Sequence, residues 1–161
     1  MKKINQKSYK NTLKWIVEIL KKRRIKFNVL GGLAAYTYGS KRSLVDIDLA
    51  MKNEDFMKLA KDVKEYIVEE PHFSKSKNWE CYYMEIKYKG ITIEIGGNHG
   101  CKFLDSKTGK WQKLGDCLSK PTIKKLFGLS LPIIPKKELI AYKKKLMRNV
   151  DITDLRNLGY M

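Results

Sequence analysis

Residues 29–51 read VLGGLAAYTYGSKRSLVDIDLAM, and the fold turns on this stretch. Gly31–Gly32 close one apolar run, and fourteen residues after Gly32 the aspartates Asp46 and Asp48 sit inside a second. Along a β-strand successive side chains alternate, so Leu44, Asp46, Asp48 and Ala50 share one face and Val45, Ile47, Leu49 and Met51 the other. One face is apolar and the other carries the acids. Side chains two apart stand about 6.5–7 Å between Cα atoms and converge on one point. Two carboxylates held that close repel and are costly to desolvate, so a cation belongs between them. A hard divalent ion, Mg²⁺ or Mn²⁺, takes oxygen ligands of this kind, and a pair of ions about 3.5–4 Å apart is bridged by such acids.

A third acid completes the set. In CYYMEIKYKGITIEI (81–95), β-branched and aromatic residues alternate on either side of Lys89–Gly90, which predicts a hairpin. Its second arm puts Ile91, Ile93 and Ile95 on one face and Thr92 and Glu94 on the other. If this strand neighbours the aspartate strand, Asp46, Asp48 and Glu94 share a face. Gly31–Gly32, after a strand and before a short helix, allows backbone N–H groups to approach a phosphate without an intervening β-carbon. The pair matches neither a Walker A loop nor a G-x-G-x-x-G fingerprint.

Outward from this centre, Leu13, Ile16, Val17 and Leu20 repeat with helical spacing and predict a helix over 8–24, its other face basic. IKFNVL predicts a short buried strand before the glycines. Asn53 as N-cap and the stripe Phe56, Leu59, Ala60, Val63 and Ile67 predict a helix to about residue 68, with Pro71 beyond its end. Residues 96–128 carry weak patterning, with one strand expected near Trp111–Leu114. LSLPIIP predicts a last extended segment, Pro135 starts a helix over 136–148, and Ile152, Leu155 and Leu158 mark a final short one. In the 136–148 helix Lys143 shares a face with Leu139, Leu146 and Met147. A lysine there must snorkel or meet an anion. Asp151 and Asp154 are expected to tie down the last helices through Arg148, Arg156 or backbone groups.

Composition sets the bounds. The 161 residues, 43% hydrophobic, suit one core and a single domain spanning 1–161. No apolar run is long enough to span a bilayer, and MKKINQKSYKNTLKW lacks the apolar block of a secretory signal, so a cytoplasmic protein without a membrane partner is expected. Cys81, Cys101 and Cys117 are an odd number at wide spacing, which suits reduced thiols; with His99 they lack zinc-site spacing. The net charge of +17 favours polyanionic partners, and it is uneven: residues 1–27 hold ten basic residues and one acid.

The order Gly-Gly, YGSKRS, DID and a later strand bearing an acid resembles the minimal nucleotidyltransferase fold, within it the lincosamide/aminoglycoside nucleotidyltransferases and AbiEii-type toxins. The tail LPIIPKKELIAYKKKLMRNVDITDLRNL is similar to the end of those proteins. The resemblance implies an α/β (α+β) fold, a mixed β-sheet flanked by helices. It implies two Mg²⁺ (or Mn²⁺) ions on Asp46, Asp48 and Glu94, and transfer of a nucleoside monophosphate from an NTP, ATP first among them, with release of pyrophosphate. Gly31, Gly32, Arg42 and Lys143 are then the expected nucleotide-binding residues. The acceptor would be a hydroxyl of a small molecule, an RNA or a protein. A non-catalytic nucleic-acid-binding or toxin–antitoxin-type module on the same fold is the rival expectation.

Overall fold

The structure, a computed structural model, describes residues 4–118 and 120–161; Lys2 and Lys3 of the basic N-terminal cluster lie outside the described residues. Helix α1 (Gln6–Lys22) starts at Asn5, whose side chain accepts from the Lys7 and Ser8 amides, two residues ahead of expectation. Its stripe Leu13, Ile16, Val17 and Leu20 is buried. Strand β1 (Phe27–Val29) runs into α2 (Gly31–Thr37), and β2 (Ile47–Met51) follows. The expected strand was longer: residues 43–46 lie outside it, Asp46 sits just before it, and Val45 is exposed rather than on the apolar face.

The helix expected to reach residue 68 is much shorter. A 3₁₀ turn over Asn53–Asp55 leads into α3 (Phe56–Asp62), Val63 leaves helical geometry at ψ 17°, and a second 3₁₀ turn covers Lys64–Tyr66. From Ile67 the chain is strand β3 (Ile67–Lys75). Pro71 therefore lies inside a strand rather than past a helix. The sheet tolerates it because β3 pairs only with β4 (Trp79–Tyr88), and its register shifts between Glu69 and His72, where the proline falls.

The hairpin at Lys89–Gly90 is present, joining β4 to β5 (Ile91–Gly97). Three further short strands, β6 (Lys102–Leu104), β7 (Trp111–Lys113) and β8 (Thr122–Leu126), fill the poorly patterned region, where one was expected. Strand β9 (Leu129–Ile133), α4 (Lys136–Leu146) and α5 (Asn149–Asn157) complete the chain, with Met147 in left-handed geometry as the hinge between the helices.

All nine strands join one mixed sheet in the order β7-β6-β4-β5-β2-β1-β9-β8, with β3 on β4. Strands β2 and β5 are parallel, with Asp48 opposite Glu94, and β1 and β9 are also parallel. One sheet face is packed by Ile47, Leu49, Met51, Ile91, Ile93 and Ile95 against α1 and α3. The other carries Asp48, Glu94 and their neighbours and is partly roofed by α4 and α5. Burying one face completely and leaving the other polar is what the period-2 pattern of β2 and β5 dictates.

Candidate active site

Parallel pairing of β2 with β5 brings the acids together as the alternation requires. One carboxylate oxygen from each of Asp46, Asp48 and Glu94 lies within 4.8 Å of the others, the one such cluster of metal-binding side chains among the described residues. The trio lines a cavity of about 740 Å³ together with Gly31, Gly32, Arg42, Tyr83, Glu85 and Arg148. Asp48 is pushed well above the usual carboxylate range by burial, then by Asp46 and Glu94, and its carboxyl is hydrogen-bonded to Glu94. Asp46 is raised by burial and by Glu94. A proton held by the trio would relieve its repulsion, and a divalent cation would do the same in its place. The donor set fits a hard divalent ion: all oxygen, all carboxylate, on two adjacent strands and the loop entering one of them.

Neighbouring hydroxyls hold the acids in place. The Tyr9 hydroxyl donates to the Asp46 carbonyl at 2.8 Å, fixing the backbone just ahead of β2. Tyr83 stands 3.1 Å from both Glu94 and Glu85, which face each other across β5 and β4. Burial and these two carboxylates push the Tyr83 phenol upward, so it stays protonated and remains a donor.

The glycines serve close approach. At Gly31, φ is +61°, and a Cβ there would stand 2.0 Å from the Asp48 carboxylate; at Gly32 it would stand 2.5 Å from the Arg42 guanidinium. Any side chain at these two positions would collide with an acid or a cation of the site. The Gly31 amide is already engaged, donating to the Tyr142 hydroxyl at 2.9 Å.

Lys143, expected beside a triphosphate, borders the same cavity, but its ammonium is engaged by side chains of α5. It is 1% exposed, with its ammonium 3.0 Å from both Asp151 and Asp154. The apolar stripe that flagged it is real, but the anion it meets is a pair of α5 carboxylates. Each of those carboxylates also holds an arginine: Asp154 takes Arg42 through Nε and Nη2 at 2.9 and 3.0 Å, and Asp151 takes Arg148 at 2.7 and 3.1 Å. Burial alone would raise both aspartates; hydrogen bonds and charge from Arg148, Arg42 and Lys143 hold them below the usual range. The arginines retain exposure of 21% and 36% and line the cavity, and each lowers the Asp46 carboxyl by its charge.

Arg148 is thus a site residue that the sequence suggested only as a tie for Asp151 or Asp154. Tyr9 and Tyr142 carried no signal. Glu85 and Tyr83 did carry one, because a two-residue turn at Lys89–Gly90 fixes Glu85 opposite Glu94 by counting alone.

A mixed sheet with three clustered acids, on two parallel strands and the loop entering one of them, a Gly-Gly helix start beneath them and arginines facing them defines a protein of the nucleotidyltransferase class. The chain belongs to the family described as nucleotidyl transferase of unknown function (DUF2204), which matches residues 9–99 and so contains Gly31, Gly32, Arg42 and all three acids. Among curated protein sequences, none matches the chain. The fold is shared with solved structures, three of which follow. TM1012 of Thermotoga maritima, a presumed nucleotidyltransferase, is 21% identical with a TM-score of 0.74 over 95% of this chain and 93% of its own. The lincosamide antibiotic adenylyltransferase LnuA, in lincomycin-bound form, is 15% identical with a TM-score of 0.65 over 99% of this chain and all of its own. The antibiotic-resistance factor ANT(2'')-Ia is 12% identical with a TM-score of 0.65 over 94% and 83%. No helix among the described residues is long and apolar enough to cross a membrane.

Proposed function

We propose that this chain, acting as a single domain, moves a nucleoside monophosphate from an NTP, ATP first among them, to an acceptor hydroxyl and releases pyrophosphate. The observation that supports it best is the set of three carboxylates facing two arginines across one cavity. Asp46, Asp48 and Glu94 would hold divalent magnesium or manganese, which when bound lowers the pKa of the acceptor hydroxyl and neutralises phosphate charge. Tyr83 keeps Glu94 oriented toward that site, and Tyr9 keeps Asp46 there. Arg42 and Arg148, each pinned by an aspartate, meet the negative charge of the triphosphate and of the leaving pyrophosphate. Gly31 and Gly32 keep the start of α2 clear of β-carbons, so that acid and guanidinium stand side by side along the nucleotide. Lys143 acts through Asp151 and Asp154, fixing both arginines rather than touching substrate. The protein's share of catalysis is positioning and charge neutralisation around an in-line displacement.

LnuA, which is lincomycin-bound, supports a small molecule as the acceptor. The reading places the protein in the cytoplasm, where NTPs and reduced thiols coexist. The test incubates the protein with each of the four α-phosphate-labelled NTPs and Mg²⁺ or Mn²⁺, against hydroxyl-bearing small molecules, total RNA and total protein. Label transferred to one class, and lost on chelation, is the expected result. Steeply salt-dependent nucleic-acid binding with no label transferred anywhere would favour the non-catalytic alternative.

A further inference from the structure

Two cysteines outside the proposed chemistry meet across strands in the wall of the same cavity. Strands β4 and β6 pair through Trp79↔Phe103 and Glu80↔Lys102, and the same register continued one step past the end of the ladder would set Cys101, just ahead of β6, beside Cys81. The Leu104 amide donates to the Asn78 carbonyl at 3.0 Å, which makes 78/104 a hydrogen-bonded pair. Continued alternation would make 81/101 a non-hydrogen-bonded pair, the kind with Cα atoms about 4.5 Å apart and the closest side chains. That spacing lies inside the window of about 4.4–6.8 Å in which a disulfide closes. Trp79 and Phe103, two residues away on the same face, already touch, with ring centroids 6.0 Å apart. The thiols of Cys81 and Cys101 hydrogen-bond to each other. Both are shielded, at 7% and 6% exposure, yet both line the cavity.

We propose that Cys81 and Cys101 are a modification site that closes reversibly into a disulfide by exchange with a small oxidised thiol compound entering through the cavity. The Cys81 thiolate attacks one sulfur of the small disulfide and expels a thiolate; Cys101 then attacks the Cys81 sulfur of the mixed disulfide and expels the second. The protein pair loses two protons and two electrons, and the reagent leaves as two thiols. Cys81 is the better first nucleophile, because the hydrogen bond from Cys101 holds its thiol below the ordinary range, whereas burial pushes Cys117 up to about 12. Closure would act on the cavity wall. The Cys81 thiol donates to the Gly97 carbonyl at 3.5 Å, and its sulfur stands 3.3 Å from where a Gly96 Cβ would be, two residues from Glu94. The bond would also tie β4 to the 98–100 loop, whose other tether is Asn53.

The test treats the full chain with oxidised glutathione, blocks remaining thiols, and reads intact mass and a peptide map. Expected are loss of two hydrogens, one blocked thiol instead of three, a Cys81–Cys101 cross-linked peptide, and reversal by dithiothreitol. Cys117→Ser should keep the cross-link, and Cys81→Ser or Cys101→Ser should abolish it. Three blockable thiols after oxidation, a persistent glutathione adduct, or a cross-link through Cys117 would each overturn the proposal. The wild-type peptide map decides this even if a variant folds poorly, and it does so whether or not the chain transfers nucleotides.

Discussion

Replacing Asp48 by asparagine should make the metal-free protein more stable at neutral pH. Asparagine keeps the volume of the side chain that fits against Gly31, so the change is one of charge. Each carboxylate of the trio offers an oxygen within 4.8 Å of the other two. At an effective dielectric of about 20, two unit charges at that separation cost roughly 3.5 kcal/mol. Burial, Asp46 and Glu94 raise the Asp48 carboxyl, so the relief is smaller than one full pair, about 1–3 kcal/mol. For a chain of this length that raises Tm by roughly 2–12 °C.

The pH dependence gives the sign independently. Asp48 titrates above its ordinary 3.8 because of burial, then Asp46 and Glu94. The folded state therefore binds more protons than the unfolded one above that pH, and wild-type stability falls as pH rises from 3.8 through the folded value. The advantage of Asp48→Asn should be absent below about pH 3.8 and grow with pH above it. Thermal unfolding followed by circular dichroism in chelator, across pH, measures this. Repeating it with Mg²⁺ or Mn²⁺ should reverse the order, because ligand at about a hundredfold excess over Kd stabilises the wild type by roughly 2.7 kcal/mol. An Asp48→Asn protein that melts below wild type in chelator at neutral pH, or gains as much from metal, would refute the electrostatic account.

Lys143→Met should destabilise the fold by about 3–5 kcal/mol, because it leaves Asp151 and Asp154 buried without their shared cation; urea unfolding checks this, and a wild-type midpoint would contradict the buried role. Gly31→Ala should cost about 1–2 kcal/mol from left-handed backbone alone, and by displacing Asp48 it should weaken Mn²⁺ binding in calorimetry, which a purely conformational effect would leave intact. Arg148→Met should lower kcat/KM for the NTP by about 10²-fold while leaving Mn²⁺ affinity near wild type; a loss of metal binding instead would assign Arg148 to holding the acids.

The acids were legible because Ile47 and Leu49 of β2 and Ile93 and Ile95 of β5 are all buried on one face, so Asp48 and Glu94 had the other left to occupy; Ala50, buried on the acid face, is the one break in the pattern of β2. The hairpin was legible for the same reason. The β3 strand was not, because the stripe Phe56, Leu59, Ala60 and Val63 continues in helical register onto Ile67, and only the break at Val63 separates the two elements. Strands β6 to β8 were largely illegible: short, lysine-rich and half exposed, they show little alternation of their own, β7 and β8 being held by hairpin pairing with β6 and β9 and β6 by its register with β4. Lys143 shows the limit of a local reading. Its helical stripe announced a buried cation and an anion to meet it, but a sequence pattern does not say whether that anion is a substrate or another helix.

The arrangement of charge explains why the C-terminal helices belong to the site although they lie beyond the family-matched stretch. Three acids on one sheet face are stable only in a field of opposite sign, and β1, β2 and β5 supply no cation of their own to that face. Arg42 comes from the loop before β2, but it is held by Asp154 of α5; Arg148 comes from the entrance to α5 and is held by Asp151. Both aspartates would be costly to bury without Lys143 of α4 between them. Five charged groups thus form a platform with one net positive charge, turned toward a trio that is negative when ionised. A triphosphate with divalent ions would extend the same alternation of sign between platform and acids, which is why the helices, the glycines and the strands are read here as one site.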